Sequence, residues 1–366
     1  MKKDETGLIA KGKQLVAVFN RAVEIIENAR RFVGRTADFT MCLTYFELGR
    51  IIIEQEQDGQ ERAKYGTKMI AGLSELLNKH FGKGFSQATL KNARQFYHVY
   101  CSQIGQLSIS ELQNENALSI RQSMISEFKV SWTHYLVLMR IENPAERAFY
   151  EIEAINENRT VEKLKREYHS SLYERLALSK DKLGVMELSR RGQIVEKPPD
   201  ILKNPLVLEF LGMKEHHTYA ESDLESAIID KMSDFLLELG KGFLFEARQK
   251  RFTYDEENFY VDLVFYNRKL KCYVLIDIKT QKLKHQDLGQ MQMYVNYFDR
   301  NVREEGENPT IGILLCKDKN NKVVELTLPK DANIYAQKYS LYLPDKELLQ
   351  SKLAEWVQEF EGDSHV

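Results

Sequence analysis

Residues 259–279, FYVDLVFYNRKLKCYVLIDIK, read as two strands and the turn between them. In the first run Phe259, Val261, Leu263 and Phe265 alternate with Tyr260, Asp262, Val264 and Tyr266. In the second, Cys272, Val274, Ile276 and Ile278 alternate with Tyr273, Leu275, Asp277 and Lys279. A period of two is that of a strand, and the polar stretch 267–271 is short enough for a hairpin loop. A turn centred on Lys269-Leu270 sets Asp262 directly across the ladder from Asp277, with Lys279 two residues along on the same face. Like charges opposed across a sheet repel, so this pattern calls for something positive between the two carboxylates. A divalent cation suits, since hard carboxylate oxygens are ligands for magnesium or manganese. The plainer alternative is a pair of solvent-facing strand acids, with Lys279 simply pairing one of them.

The flanking segments bear on that choice. Upstream, 221–240 has the spacing of an amphipathic helix, with Leu224, Ile228, Phe235 and Leu239 on its apolar stripe and Gly240 as its stop. Downstream, 286–298 reads as a helix carrying Gln290, Gln292 and Tyr294, and 311–316 as a buried strand. An acid on one strand followed by Asp277-Ile278-Lys279 on the next resembles the core of the PD-(D/E)XK nuclease superfamily. Val261 stands where the proline of the superfamily's name would be, a position that carries no catalytic atom. The resemblance implies catalytic Asp262, Asp277, Lys279 and Gln290. It implies a metal, Mg2+ or Mn2+, held by Asp262, Asp277, the Ile278 carbonyl and a helix acid, with Glu225 preferred and Glu221 the fallback one turn earlier. Gln290-x-x-x-Tyr294 matches a helix signature of many of these nucleases.

At 366 residues the chain has room for two domains, each with a core of its own. A hydrophobic fraction of 43% with 29% charged residues is that of a globular protein. No run is apolar enough for a membrane span and no signal peptide is evident, which leads to the expectation of a cytoplasmic protein with no membrane partner. Cys42, Cys101, Cys272 and Cys316 are scattered without metal-ligand spacing and read as reduced packing residues. No H-E-x-x-H, Walker loop or G-x-S-x-G occurs, against zinc protease, P-loop and α/β-hydrolase chemistry. A net charge of −2 does not advertise nucleic-acid binding. Even so, Arg248, Lys250, Arg268 and Lys282 flank the acids, which suits a phosphodiester substrate. A lysine-rich strand edge that guards against edge pairing would look the same.

The N-terminal half is helical in pattern over 11–34, 38–55, 66–81 and 86–102. Phe81-Gly-Lys-Gly-Phe-Ser86 is a glycine break ending in an N-cap. The helix after it presents Lys91, Arg94 and Gln95, so the pair reads equally as a DNA-reading helix-turn-helix or as the charged face of a bundle. Thr44–Ile51, Gly59–Gly66, Phe81–Ser86 and Arg94–Tyr97 are similar to the N-terminal domain of the YhcG family, and Ser131–Tyr135 and Leu172–Leu176 to its later part. One departure is Asn158-Arg159, where relatives carry a tryptophan.

That resemblance implies a multidomain protein. A mainly α, winged-helix-like domain for DNA or partner binding (11–178) is joined by a linker (179–200) to an α/β restriction-endonuclease-like PD-(D/E)XK domain (201–360). The activity implied is a metal-dependent deoxyribonuclease, by superfamily habit an endonuclease, serving DNA repair, recombination or defence. Its implied partners are DNA, a second copy in a homodimer, or a restriction or defence-system protein. A DNA-binding or partner-activated accessory subunit is the alternative.

Overall fold

The computed structural model describes residues 37–55, 62–104, 128–178, 182–214, 218–329 and 332–353. The expected helix at 11–34 lies outside them. Two compact units emerge. The first is Met1–Arg147 with Ala154–Val161, and the second is Ala148–Glu153 with Glu162–Val366.

The first unit contains α1 (37–55), α2 (Arg62–Phe81), α3 (Gln87–Ile104) and α4 (Trp132–Leu138). The turn between α2 and α3 is built as its residues demand. Ser86 Oγ accepts the Thr89 N–H at 3.1 Å, the expected N-cap. Asn78 Oδ1 accepts the Phe85 N–H, and Ser74 Oγ donates to the Phe85 carbonyl. Leu90, Ala93, Phe96 and Tyr100 form the buried stripe of α3, and Phe96 meets Phe46, Phe128, Trp132 and Tyr135. Close approach of α1 to α3 needs Gly49, where a Cβ would stand 2.1 Å from the Ala93 carbonyl oxygen. Among its described residues this unit has no strand. Two helices joined by a short turn are seen, and among the described residues no wing is.

A helix α5 (Pro144–Asn156) bridges the division, and the second unit continues with α6 (Val161–His169), α7 (Leu172–Ala177) and α8 (Lys182–Arg191). The stretch expected as a linker thus contains a helix, and Leu188 and Gln193 within it are buried. The sheet follows. Its strands are β1 (Leu206–Val207), β2 (Phe243–Tyr254), β3 (Glu257–Asn267), β4 (Cys272–Lys282), β5 (Ile311–Asp318) and β6 (Ile334–Ser340), in the order β1-β6-β5-β4-β3-β2. β2, β3 and β4 are antiparallel neighbours; β4, β5, β6 and β1 run parallel.

Both faces of the sheet are covered, which explains the near-continuous Val/Ile/Leu runs of β4 and β5. One face packs on α9 (Glu221–Asp230) and α10 (Met232–Leu239) through Leu263, Phe265, Val274, Ile276 and Ile278. The other packs on α11 (His285–Asn301) through Val264, Leu275 and Leu314 against Met291, Tyr294 and Phe298. The segment 221–239, expected as one helix, breaks at Lys231 (φ −115°, ψ 32°), yet Leu224, Ile228, Phe235 and Leu239 all reach the same core.

The expected alternation in 259–265 also breaks. Val261 packs with Val264 on the α11 side, not with Leu263 and Phe265. The cause is local to Asp262. β3 pairs with β4 only from Leu263↔Ile276 to Asn267↔Cys272. On its other side β3 pairs with β2 at Arg248↔Leu263 and Lys250↔Val261, and Gln249, between them, has φ +46°. The strand therefore turns at the residue whose side chain matters most.

Candidate functional site

Asp262 and Asp277 meet where the β3–β4 ladder opens. The observed register, continued by one residue, would set them opposite each other, as the alternation predicts. Backbone pairing stops just short of them, and a side chain takes over: Asp262 Oδ2 accepts the Ile278 N–H at 2.8 Å. Its other oxygen, Oδ1, accepts from Gln249 Nε2 at 3.0 Å. Asp262 is thus held by two neutral donors and lies within the field of Asp277.

Asp277 is 3% exposed. Burial is the main reason its carboxyl is pushed up to about 7, and the neighbouring Asp262 charge adds to it against the pull of Lys279. Lys279 Nζ stands 2.7 Å from Asp277 Oδ2 as an ion pair. Oδ2 is shut off from solvent, with that ammonium beside it. Burial works against the Lys279 ammonium, but Asp277, Glu221 and Asp262 outweigh it and hold its pKa above the usual lysine range.

Two acids come from α9, and both reach the site by different routes. Glu221 Oε2 lies 3.6 Å from Lys279 Nζ, and its Oε1 accepts the Thr280 N–H at 3.3 Å. Glu225 is buried; its Oε1 pairs with Arg248, and its Oε2 accepts from Gln249 Nε2 at 2.8 Å. From the opposite face, α11 contributes Gln290, whose Nε2 donates to Tyr294 Oη at 2.6 Å. Tyr294 is buried; desolvation first, then the Asp277 charge, push its phenol up to about 12.

A divalent cation fits this donor set only in part as it stands. Among the described residues no three His, Cys, Asp or Glu side chains are gathered closely enough to hold one. What is present is a buried carboxylate, Asp277, beside a second carboxylate, with Glu225 one amide group away. Magnesium is commonly bound by one or two carboxylates, with waters and substrate phosphate completing its octahedron, so two acids suffice in kind.

The expected DNA-contacting residues divide. Arg248 is at the site but is engaged by Glu225 and Ser226 Oγ. Lys250 pairs with Glu246 on the same strand. Lys282 is exposed at the end of β4, three residues past Lys279, and lines a cavity with Lys319, Lys338 and Lys352. Arg268 is not near the acids. It sits in the hairpin turn, five residues from Asp277 along β4, about 16 Å at the usual strand rise. In the first unit Lys91 and Gln95 are exposed on α3 and Arg94 is half-buried.

Gln249 is the site residue that sequence reading missed. The signal was the β2–β3 hairpin. Its turn residues Asp255 and Glu256 both have positive φ, and the resulting register puts Gln249 opposite Asp262. Asp-Glu is a poor match to the Asn-Gly or Asp-Gly that usually marks such turns.

Comparison with known proteins agrees with this architecture. Residues 199–354 match the YhcG PDDEXK nuclease domain, and residues 21–175 match the DUF1016 N-terminal domain. "Putative nuclease YhcG" of Escherichia coli (strain K12) is 35% identical over 350 residues, covering 90% of this chain and 91% of that protein. Among solved structures, a repair endonuclease from Pyrococcus abyssi aligns at 20% identity over 35% of this chain, with a TM-score of 0.24. A complex of EndoMS with double-stranded DNA aligns at 15% over 36%, with a TM-score of 0.25. The chain covers half the length of each of these structures, and scores this low carry no weight for fold or function. The whole-length likeness does carry weight: the chain belongs to the YhcG family, with a DUF1016 domain followed by a PDDEXK nuclease domain.

Proposed function

We propose that the protein is a metal-dependent deoxyribonuclease, cutting within DNA strands, with its centre at Asp262, Asp277 and Lys279. The observation that carries this reading is the buried Asp277 carboxylate set beside a second carboxylate and a lysine. Asp262, Asp277 and the Ile278 carbonyl would hold a magnesium or manganese ion, with Glu225 supporting. When bound, the ion supplies an acidified water and neutralises phosphate charge. The chain's own groups do the rest. Lys279, kept protonated by the acids around it, stabilises charge developing on the scissile phosphate. Gln290, held by Tyr294, orients the water or a non-bridging oxygen. The exposed Lys282 guides the phosphate backbone away from the centre.

The helical unit places the DNA or binds a partner, and α3 with Lys91 and Gln95 exposed is the element best suited to it. This division of labour is the domain arrangement 11–178, 179–200 and 201–360. Purified protein incubated with supercoiled, linear, single-stranded and branched DNA, with Mg2+, Mn2+ or EDTA, tests it. Metal-dependent nicking or linearisation of a closed circle supports the reading. Cutting from ends alone would make it an exonuclease, and cutting in EDTA would remove the metal.

A further inference from the structure

We propose that Gln249 is a positioning residue that couples Glu225 to Asp262, so that both carboxylates serve one cation; this rests on the metal-dependent reading above. Three observations converge on it. First, Gln249 has φ +46° in the middle of β2, a left-handed conformation uncommon for any residue but glycine, least of all inside a strand. Second, the β2–β3 register runs unshifted from Arg248↔Leu263 to Lys250↔Val261, which sets Gln249 opposite Asp262. Third, the amide nitrogen so placed donates at 2.8 Å to Glu225 Oε2 and at 3.0 Å to Asp262 Oδ1.

Glu225 shows why the amide is needed. It comes from α9, packed on the opposite side of the sheet from α11, and its other oxygen is taken by the exposed Arg248. Without Gln249, the charged or amide partner left to Glu225 among the described residues is the exposed Arg248. A donor bridging two acids fixes their spacing in advance. The carboxamide is neutral, so it holds the two acids from outside a cation's own ligands without charge repulsion.

The test is calorimetric titration of Mn2+ into the full-length protein without DNA, for wild type and for E225A, Q249G, the double variant E225A/Q249G and D277A. Glycine suits a positive φ, so Q249G removes the amide while easing the backbone, and its thermal midpoint should match wild type. E225A and Q249G should each weaken Mn2+ binding roughly tenfold, the usual scale for an outer-shell partner. The double variant should also be about tenfold weaker, not a hundredfold, because both changes break one coupled unit. Wild-type affinity in Q249G, or a double variant equal to the product of the singles, would overturn the proposal. If Q249G fails to fold, Q249N, which tolerates the same backbone but is one carbon short, should show the same weakening. Equal binding by wild type and D277A, or none by either, would instead bring down the metal reading itself, and this proposal with it.

Discussion

Two buried carboxylates in the second unit, Glu238 and Asp277, have opposite fates. Glu238 is 2% exposed and surrounded by cations. Arg175 Nη1 lies 2.5 Å from its Oε1, Arg166 Nη2 3.4 Å from its Oε2, and the Val207 N–H donates to it at 3.0 Å. Burial opposes its charge, but Arg175 prevails with Lys203 and Arg166, and the carboxyl is held down at about 2. Asp277 is as deeply buried, with one lysine and a second acid for company, and it is driven up to about 7. A closed, neutralised cluster holds a fold together. A centre short of positive charge is prepared for something the chain does not supply.

Substitution separates the two first. Asp277→Asn should cut DNA cleavage by at least ~10²–10³-fold, with no loss of thermal stability, since it removes an unfavourable charge; a melting curve alongside a cleavage assay reads both. Glu238→Gln should do the reverse. It takes the charge of Glu238 away from Arg175, which is fully buried, and should cost about 3–5 kcal/mol in chemical denaturation, leaving activity per folded molecule unchanged.

Acidity gives the next contrast. Glu238 has a folded pKa below its ordinary 4.5, so its contribution is present above that value and lost as pH falls towards 2. Asp277 has a folded pKa above its ordinary 3.8. The metal-free protein should therefore lose stability as pH rises from about 4 to 7, a slope that Asp277→Asn flattens. Melting temperatures in EDTA across that range would show it. The smallest effect belongs to the hairpin tip. Arg268→Ala should change DNA affinity less than about twofold, because ~16 Å exceeds the screening length at physiological salt; fluorescence anisotropy with a labelled duplex is sensitive enough.

Much of this was legible in 259–279. Strict alternation and a five-residue polar break fixed the hairpin, and the pairing Asn267↔Cys272 is the one that a turn on Lys269-Leu270 requires. The capping serine at 86 and the strand at 311–316 also follow from local chemistry, whereas Gln290 and Tyr294 stand out only through the family resemblance. Period-two reading failed at Asp262 because a side chain there replaces a ladder hydrogen bond, and no alternation rule encodes that. Arg268 flanks the acids in sequence but not in space, because a strand carries its turn away from its middle. Glu238 and Arg175 could not be paired in advance: they are 63 residues apart, and only the packing of α7 against the sheet unit brings them together.

The most direct test of the central claim measures cleavage and binding together, in Mg2+, for wild type and Lys279→Ala on one end-labelled DNA. The account predicts cutting by wild type that EDTA abolishes, and binding without cutting by Lys279→Ala. Equal cutting by both proteins would contradict it.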